Sequence, residues 1–360
     1  MFLFGCESSK NNSEAEVETE VIEEEPVVLT RQEEILETMS LEEKIGQLFI
    51  VRYENLDDED TADYHLGGIT FYARDLKNET PESFKEKIDE LQSYVSIPMF
   101  MSVDEEGGTV VRVSAYSQYR EYEFRSPRSY FAQGGMELVL EREGEKAELL
   151  SSLGLNMNLS PVADVTDDPY AYMYDRSLGQ DAKTTGEFVV GTVNKAFENG
   201  VASVVKHFPG HGNNSDTHKV IAEDERSLEE LKNRDLIPFQ MAMDQSECAI
   251  MIGHTIVDAL DSEYPASLSK KVHDYIRNEM GFDGVIMPDA LDMTVASLYG
   301  DEKCAVLAIE AGNDMLCTTD YKDQYNALIN AVKNGEISEE RINESVLRIL
   351  KWKIDLGIID

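Results

Sequence analysis

Three features of the 360-residue sequence predict an α/β protein of the (β/α)8, or TIM-barrel, class with a single catalytic domain. Eight strand-length apolar runs lie along the chain, at 48–51, 68–72, 97–103, 155–159, 201–205, 248–252, 284–287 and 314–317. Most are continuously apolar rather than alternating, as parallel strands covered on both faces should be. Helical patterns separate them. Polar residues then collect where runs end: Asp104 after the third, Asp164 after the fourth, Lys206 and His207 after the fifth, His254 after the sixth and Asp289 after the seventh. In such barrels several strand ends deliver chemistry to one face, so this clustering predicts a single pocket. A doubly wound open sheet has the same alternation and is the fallback architecture.

Taken in order, the chain opens on Met1-Phe2-Leu3-Phe4-Gly5-Cys6, which resembles the end of a bacterial lipoprotein signal: apolar residues, a small residue, then cysteine. The basic region and most of the hydrophobic segment of such a signal do not precede it. Residues 7–26 read as an acidic, disordered tether, with eight Glu and one Lys between Glu7 and Glu25. The expected domain spans 27–360. A lipidated Cys6 would hold it outside the membrane; an accidental cysteine in a disordered tail would leave it cytoplasmic.

The domain's helices announce themselves by their caps. Ser40-Leu41-Glu42-Glu43 and Ser227-Leu228-Glu229-Glu230 are capping boxes. Thr80-Pro81 starts a helix with Phe84, Ile88, Leu91 and Val95 on one face. Ser269 precedes another, with Val272 and Ile276 four residues apart. The last runs from Ser338, places Ile342, Val346, Ile349 and Leu350 inward, and ends at Gly357.

Composition narrows the partners. Asp and Glu number 71 against 32 Lys and Arg, a formal net charge of -39, which repels nucleic acid and anionic headgroups. Cys6, Cys248, Cys304 and Cys317 show neither metal-type pairing nor the density of a disulfide scaffold.

The densest chemistry is Lys206-His207-Phe208-Pro209-Gly210-His211-Gly212, followed by Asp216-Thr217-His218. A carboxylate beside an imidazole fixes its tautomer and raises its basicity, which suits Asp216 and His218 to proton transfer; a plain surface loop is the alternative. His207, His211 and His218 lack the helical spacing of a zinc motif, and no metal is expected. Asp289 at a strand end could be a nucleophile, a metal ligand or a helix cap. Asp104-Glu105-Glu106-Gly107-Gly108 sets three acids before two turn-forming glycines, with Arg112 as a candidate partner or ligand anchor.

Together these segments resemble family 3 of the glycoside hydrolases, specifically its single-domain bacterial β-N-acetylglucosaminidases. The likeness runs from Leu41 to the final helix and includes Lys206 to Gly212, the Asp104 segment, Ser160-Pro161-Val162-Ala163-Asp164-Val165, Arg176-Ser177-Leu178-Gly179 and Asp289-Ala290-Leu291-Asp292-Met293. The resemblance implies a retaining exo-acting enzyme without a cofactor, acting on peptidoglycan- or chitin-derived glycans. It implies Asp289 as nucleophile, His218 as acid/base with Asp216 polarising it, and Asp104, Arg112, Arg176, Lys206 and His207 as holders of a terminal N-acetylglucosamine. A neutral His in place of a second carboxylate departs from the usual pair and leaves phosphorolysis open. Three departures from the family pattern bear on substrate preference: three residues between Gly212 and Asp216 where many relatives have four, Thr109, and Pro288. A glycan-binding lipoprotein with a decayed site is the rival from another class.

Overall fold

The computed structural model describes residues 29–57, 59–212, 222–291 and 298–360, together with 1, 2 and 5. Eight parallel strands form one sheet: β1 Phe49–Arg52, β2 Gly68–Phe71, β3 Phe100–Val103, β4 Met157–Asn158, β5 Ala202–Phe208, β6 Ala249–Ile252, β7 Ile286–Pro288 and β8 Leu316–Thr318. From β1 to β7 each pairs with its sequence neighbour, and β8 returns to β1 with Phe49 opposite Leu316. At the seam between β7 and β8 the Asp314 amide donates to the Ile286 carbonyl at 2.7 Å, and the Asp314 carboxylate accepts from the Ile286 amide at 2.9 Å. The sheet is thus a nearly closed barrel with helices around it. All eight apolar runs became strands.

The limits of every run shift by a few residues, and two of the shifts bear on the site. The fifth run was expected to stop at Val205, yet β5 continues to Phe208, so Lys206 and His207 project from the strand itself. A register shift against β6 between Val205 and Phe208 aims them at the mouth. At the eighth run Asp314 stands outside the ladder because its side chain is spent on the seam.

The caps form as their chemistry requires. The Ser40 hydroxyl accepts from the Glu43 amide at 3.2 Å while Glu43 accepts from the Ser40 amide at 2.8 Å, and Ser227 and Glu230 repeat the exchange. Pro81–Ser93 buries Phe84 and Ile88, each side chain contributing about 1.5–3 kcal/mol. Val95 lies past the end of that helix. Glu339–Asp355 buries Ile342, Val346, Ile349 and Leu350, and Gly357 follows it at φ +70°. Further helices, Pro127–Ser152 and Ala182–Glu198 among them, fill other crossovers.

Two apolar clusters make the core. One joins buried residues of β1 to β4 and β8 to helix residues such as Phe84 and Val346; the other joins Val205, Ile250 and Ile286 to Phe188 and Phe239 on helices outside. Among the described residues no helix is long and apolar enough to cross a membrane.

Candidate active site

The third strand ends at Val103, and the acids behind it take three different jobs. Glu105 is fully buried and turns inward, where it accepts from the Arg112 and Val113 amides at 2.7 Å each and from the Ser114 hydroxyl at 2.5 Å. It therefore shapes the loop that carries Arg112, and does not face a ligand. Gly107 makes this turn possible: its φ is +99°, and a Cβ there would stand 2.4 Å from the Arg125 carbonyl oxygen.

Glu106 is the hub. Arg176 reaches it through two bonds, Nε to Oε2 at 2.8 Å and Nη2 to Oε1 at 2.7 Å, while Lys206 Nζ lies 2.7 Å from Oε1. Burial alone would raise this carboxyl, but the charges of Lys206 and Arg176 and their hydrogen bonds outweigh it and hold Glu106 well below the ordinary range. Behind it, Lys146 donates to the Glu106 carbonyl at 3.0 Å and to both oxygens of buried Glu143 at 2.8 Å.

Asp104, only partly buried, receives Lys206 Nζ at 2.7 Å on Oδ1 and has Arg112 Nη2 at 3.6 Å from Oδ2. Lys206 is thus fixed between two carboxylates. Burial pulls its ammonium down; Asp104 and Glu106 more than restore it and raise it above its usual value.

Asp164, from the segment after β4, grips the fifth strand. Its Oδ2 lies 2.9 Å from His207 Nδ1, and its Oδ1 accepts the His211 amide at 2.5 Å. Burial opposes the Asp164 charge, yet the contacts from His207 and His211 keep the carboxyl below its usual range. A carboxylate at Nδ1 fixes the proton there, so His207 turns Nε2 to the mouth, 3.4 Å from Arg176 Nη2. The Lys206–His207 and Phe208–Pro209 peptide bonds are cis.

Asp289 follows β7, its amide bound to the Ile252 carbonyl at 2.8 Å and its Oδ1 accepting from the Ala290 amide at 2.8 Å. The next carbonyl, of Ala290, accepts from His254 Nε2 at 3.0 Å, so the donor to it is the Nε2–H tautomer, and Ser267 meets Nδ1 at 2.7 Å. Burial works against ionisation of Asp289; His207, His254, the Ala290 amide and Lys206 prevail and depress it. The cleft above is lined by Asp289, Arg176, His207, His211, Tyr172 and Thr255.

The barrel mouth therefore brings together Asp104, Arg112, Arg176, Lys206, His207 and Asp289. Asp216 and His218 lie outside the described residues, as does Cys6. Among the described residues on either side of that segment, Arg226 donates to the Gly210 carbonyl at 2.9 Å and pairs with Asp224 at 2.5 Å and Asp235 at 2.7 Å. Nothing in the sequence singles out Arg226. Glu106 and Asp164 were visible within motifs, but their roles as hubs needed partners 70 and 43 residues away. Among the described residues no group of three or more His, Cys, Asp or Glu side chains is arranged to hold a metal ion.

Comparison with known proteins points one way. The profile of the glycosyl hydrolase family 3 N-terminal domain matches residues 40–352. The chain is 27% identical over 330 residues to beta-hexosaminidase LpqI of Mycobacterium tuberculosis, covering 88% of this chain and 83% of that protein. It is 31% identical over 284 residues to a beta-hexosaminidase of Methylococcus capsulatus, covering 76% and 81%. Its fold superposes on the structure of Mycobacterium tuberculosis LpqI with a TM-score of 0.81 at 28% identity, covering 90% of this chain and 96% of that one. A family 3 beta-N-acetylglucosaminidase from Paenibacillus sp. gives 0.82 at 32% identity over 89% of this chain, which spans 63% of the Paenibacillus chain.

Proposed function

The chain belongs to glycosyl hydrolase family 3, and from that premise we propose that it is a retaining exo-β-N-acetylhexosaminidase that removes terminal N-acetylglucosamine from peptidoglycan- or chitin-derived glycans. The observation that carries this reading is the Asp289 carboxylate after β7, held by the Ala290 amide at 2.8 Å and lining one cleft with His207 and Arg176 from other elements. The names of the hexosaminidase relatives support the choice of sugar.

Asp104, Arg112, Lys206, Arg176 and His207 bind the hydroxyl and acetamido groups of the terminal residue. The pairing of Lys206 and Arg176 with Glu106 holds these donors before substrate arrives, so little reorganisation is needed. An Asp289 oxygen attacks the anomeric carbon as its bond to the leaving oxygen breaks, and His218 gives that oxygen its proton. In the second half His218 takes a proton from water, the water attacks the same carbon, and Asp289 leaves as carboxylate. Asp216 polarises His218. The chemistry draws on side chains alone.

The domain 27–360 would then be the catalytic unit, tethered through residues 7–26 to a lipidated Cys6 outside the membrane. A relative described as a secreted glycosyl hydrolase, 28% identical over 312 residues, supports export.

A panel of nitrophenyl glycosides, run with and without phosphate, tests the activity. Release from the β-N-acetylglucosaminide, with free sugar as product in both buffers, is expected. A sugar phosphate as the product would move the assignment to a phosphorylase. No turnover of any member would leave the glycan-binding rival standing.

A further inference from the structure

The ring of His254 lies just past β6 and takes no part in the sugar-binding or proton-transfer roles set out above. It is fully buried, and its two nitrogens serve different parts of the chain. Nε2 lies 3.0 Å from the Ala290 carbonyl oxygen, and Nδ1 meets the Ser267 hydroxyl at 2.7 Å. A carbonyl can only accept, so Nε2 carries a proton; on the neutral ring Nδ1 is then the acceptor and Ser267 the donor. Ser267 is fully buried too, and its carbonyl accepts from Asn313 Nδ2 at 2.8 Å. The imidazole is therefore held at the right tautomer by a neighbour that is itself held.

The other end of this run of bonds is the Asp289 carboxylate. The Ala290 amide donates to Asp289 Oδ1 at 2.8 Å, and the carbonyl of that same residue is the one His254 holds. On either side, the Asp289 amide donates to the Ile252 carbonyl of β6 at 2.8 Å and the Leu291 amide to the Cys317 carbonyl of β8 at 2.9 Å. Backbone bonds thus tie the turn to two strands. His254 adds a side-chain tie at the residue whose amide touches the carboxylate.

A nucleophilic carboxylate must meet the anomeric carbon at close range and in line. Such a geometry is lost over about 1 Å, a displacement that can cost on the order of a hundred-fold in rate. The Ala290 carbonyl, once released, would let its residue rotate and take the amide away from Asp289 Oδ1.

We infer that His254 is a positioning residue for the nucleophile: by holding the Ala290 carbonyl it aims the Ala290 amide at Asp289 and keeps the carboxylate directed at the anomeric carbon. This rests on the glycosidase reading. His254 acts through Ala290 and does not touch the sugar, so its loss slows bond formation without weakening the binding of the terminal residue.

The test follows two quantities in the full chain: the rate at which 5-fluoro-N-acetylglucosaminyl fluoride labels the protein, and the Kd of N-acetylglucosamine, which fills the site without reacting. His254→Leu keeps the bulk but cannot donate. It should slow labelling on the order of a hundred-fold and leave the Kd within about two-fold of wild type. His254→Gln carries an amide donor near the place of Nε2 and should recover labelling to within about ten-fold of wild type. Labelling of His254→Leu at the wild-type rate, or equal losses in the Leu and Gln variants, would overturn the positioning role while leaving the activity intact. A rise in Kd that matches the loss of labelling would mark a collapsed site and overturn it too. Should His254→Leu not fold, Ser267→Ala replaces it: labelling slowed about ten-fold at unchanged Kd is expected, and a wild-type rate would overturn the role. Wild-type protein that is never labelled would instead overturn the nucleophile reading, and the role of His254 with it.

Discussion

Arg176 holds Glu106 through two bonds of 2.8 and 2.7 Å, joining the segment after β4 to the segment after β3. The same carboxylate takes Lys206 at 2.7 Å. Two cations share one buried anion, and the surplus positive charge faces Asp104 and the cleft. Removing the anion leaves both cations short of a partner, which is the costly way to break a buried pair.

Glu106→Gln should therefore destabilise the protein by about 3 kcal/mol and lower kcat/KM by at least ten-fold. Urea unfolding and steady-state kinetics on the same preparation check both. Arg176→Lys should fail to rescue activity, because an ammonium cannot reproduce the two-bond grip.

Acid should expose the same network. Asp164 and Glu106 are both depressed in the folded protein, so the unfolded chain takes up their protons first as pH falls. The stability they contribute is present above the ordinary carboxylate pKa of about 4 and is lost as pH drops through the lower folded values. Asp164→Asn should flatten the acid limb of a stability-versus-pH curve. It should also free the His207 tautomer, seen as a shift of the His207 ring nitrogens in NMR and a rise in KM.

Lys353 predicts a slope of the same sign in the alkaline range. It is fully buried at the foot of the barrel, donates to Gln47 Oε1 at 2.8 Å, and is pushed down to about 7 by burial. Between that value and the unfolded lysine pKa of about 10.4 the unfolded chain binds a proton that the folded chain has released, so this group's contribution to stability rises with pH. Lys353→Met should gain on the order of 4 kcal/mol over wild type at pH 7, with the gap closing towards pH 10. Denaturant melts at several pH values measure it. A gap independent of pH would show that the ammonium is already paired.

The barrel was legible because strands covered on both faces carry uninterrupted apolar runs, and all eight survived in the structure. Pro127–Ser152 was not, since Gly134 and Gly135 leave helical geometry inside it and spoil the apolar period. At the site, strand ends nominated Asp104, Lys206, His207 and Asp289 correctly as neighbours. What the sequence could not separate was Asp104 from Glu105 and Glu106: three adjacent acids of equal chemistry whose directions are set by Gly107, by the Val113 amide and by Arg176. Arg226 escaped notice for a similar reason: part of its work is on the Gly210 carbonyl, which carries no sequence signature, and its carboxylate partners are not marked by any motif.

The role of Asp289 admits a direct measurement. A 5-fluoro-N-acetylglucosaminyl fluoride forms a glycosyl-enzyme readily but releases it slowly, so the intact protein should gain the mass of one fluorosugar, and peptide mapping should place it on Asp289. Asp289→Ala should take up none. A fluorosugar ester on any other carboxylate, or continuing turnover without an adduct, would contradict Asp289 as the nucleophile.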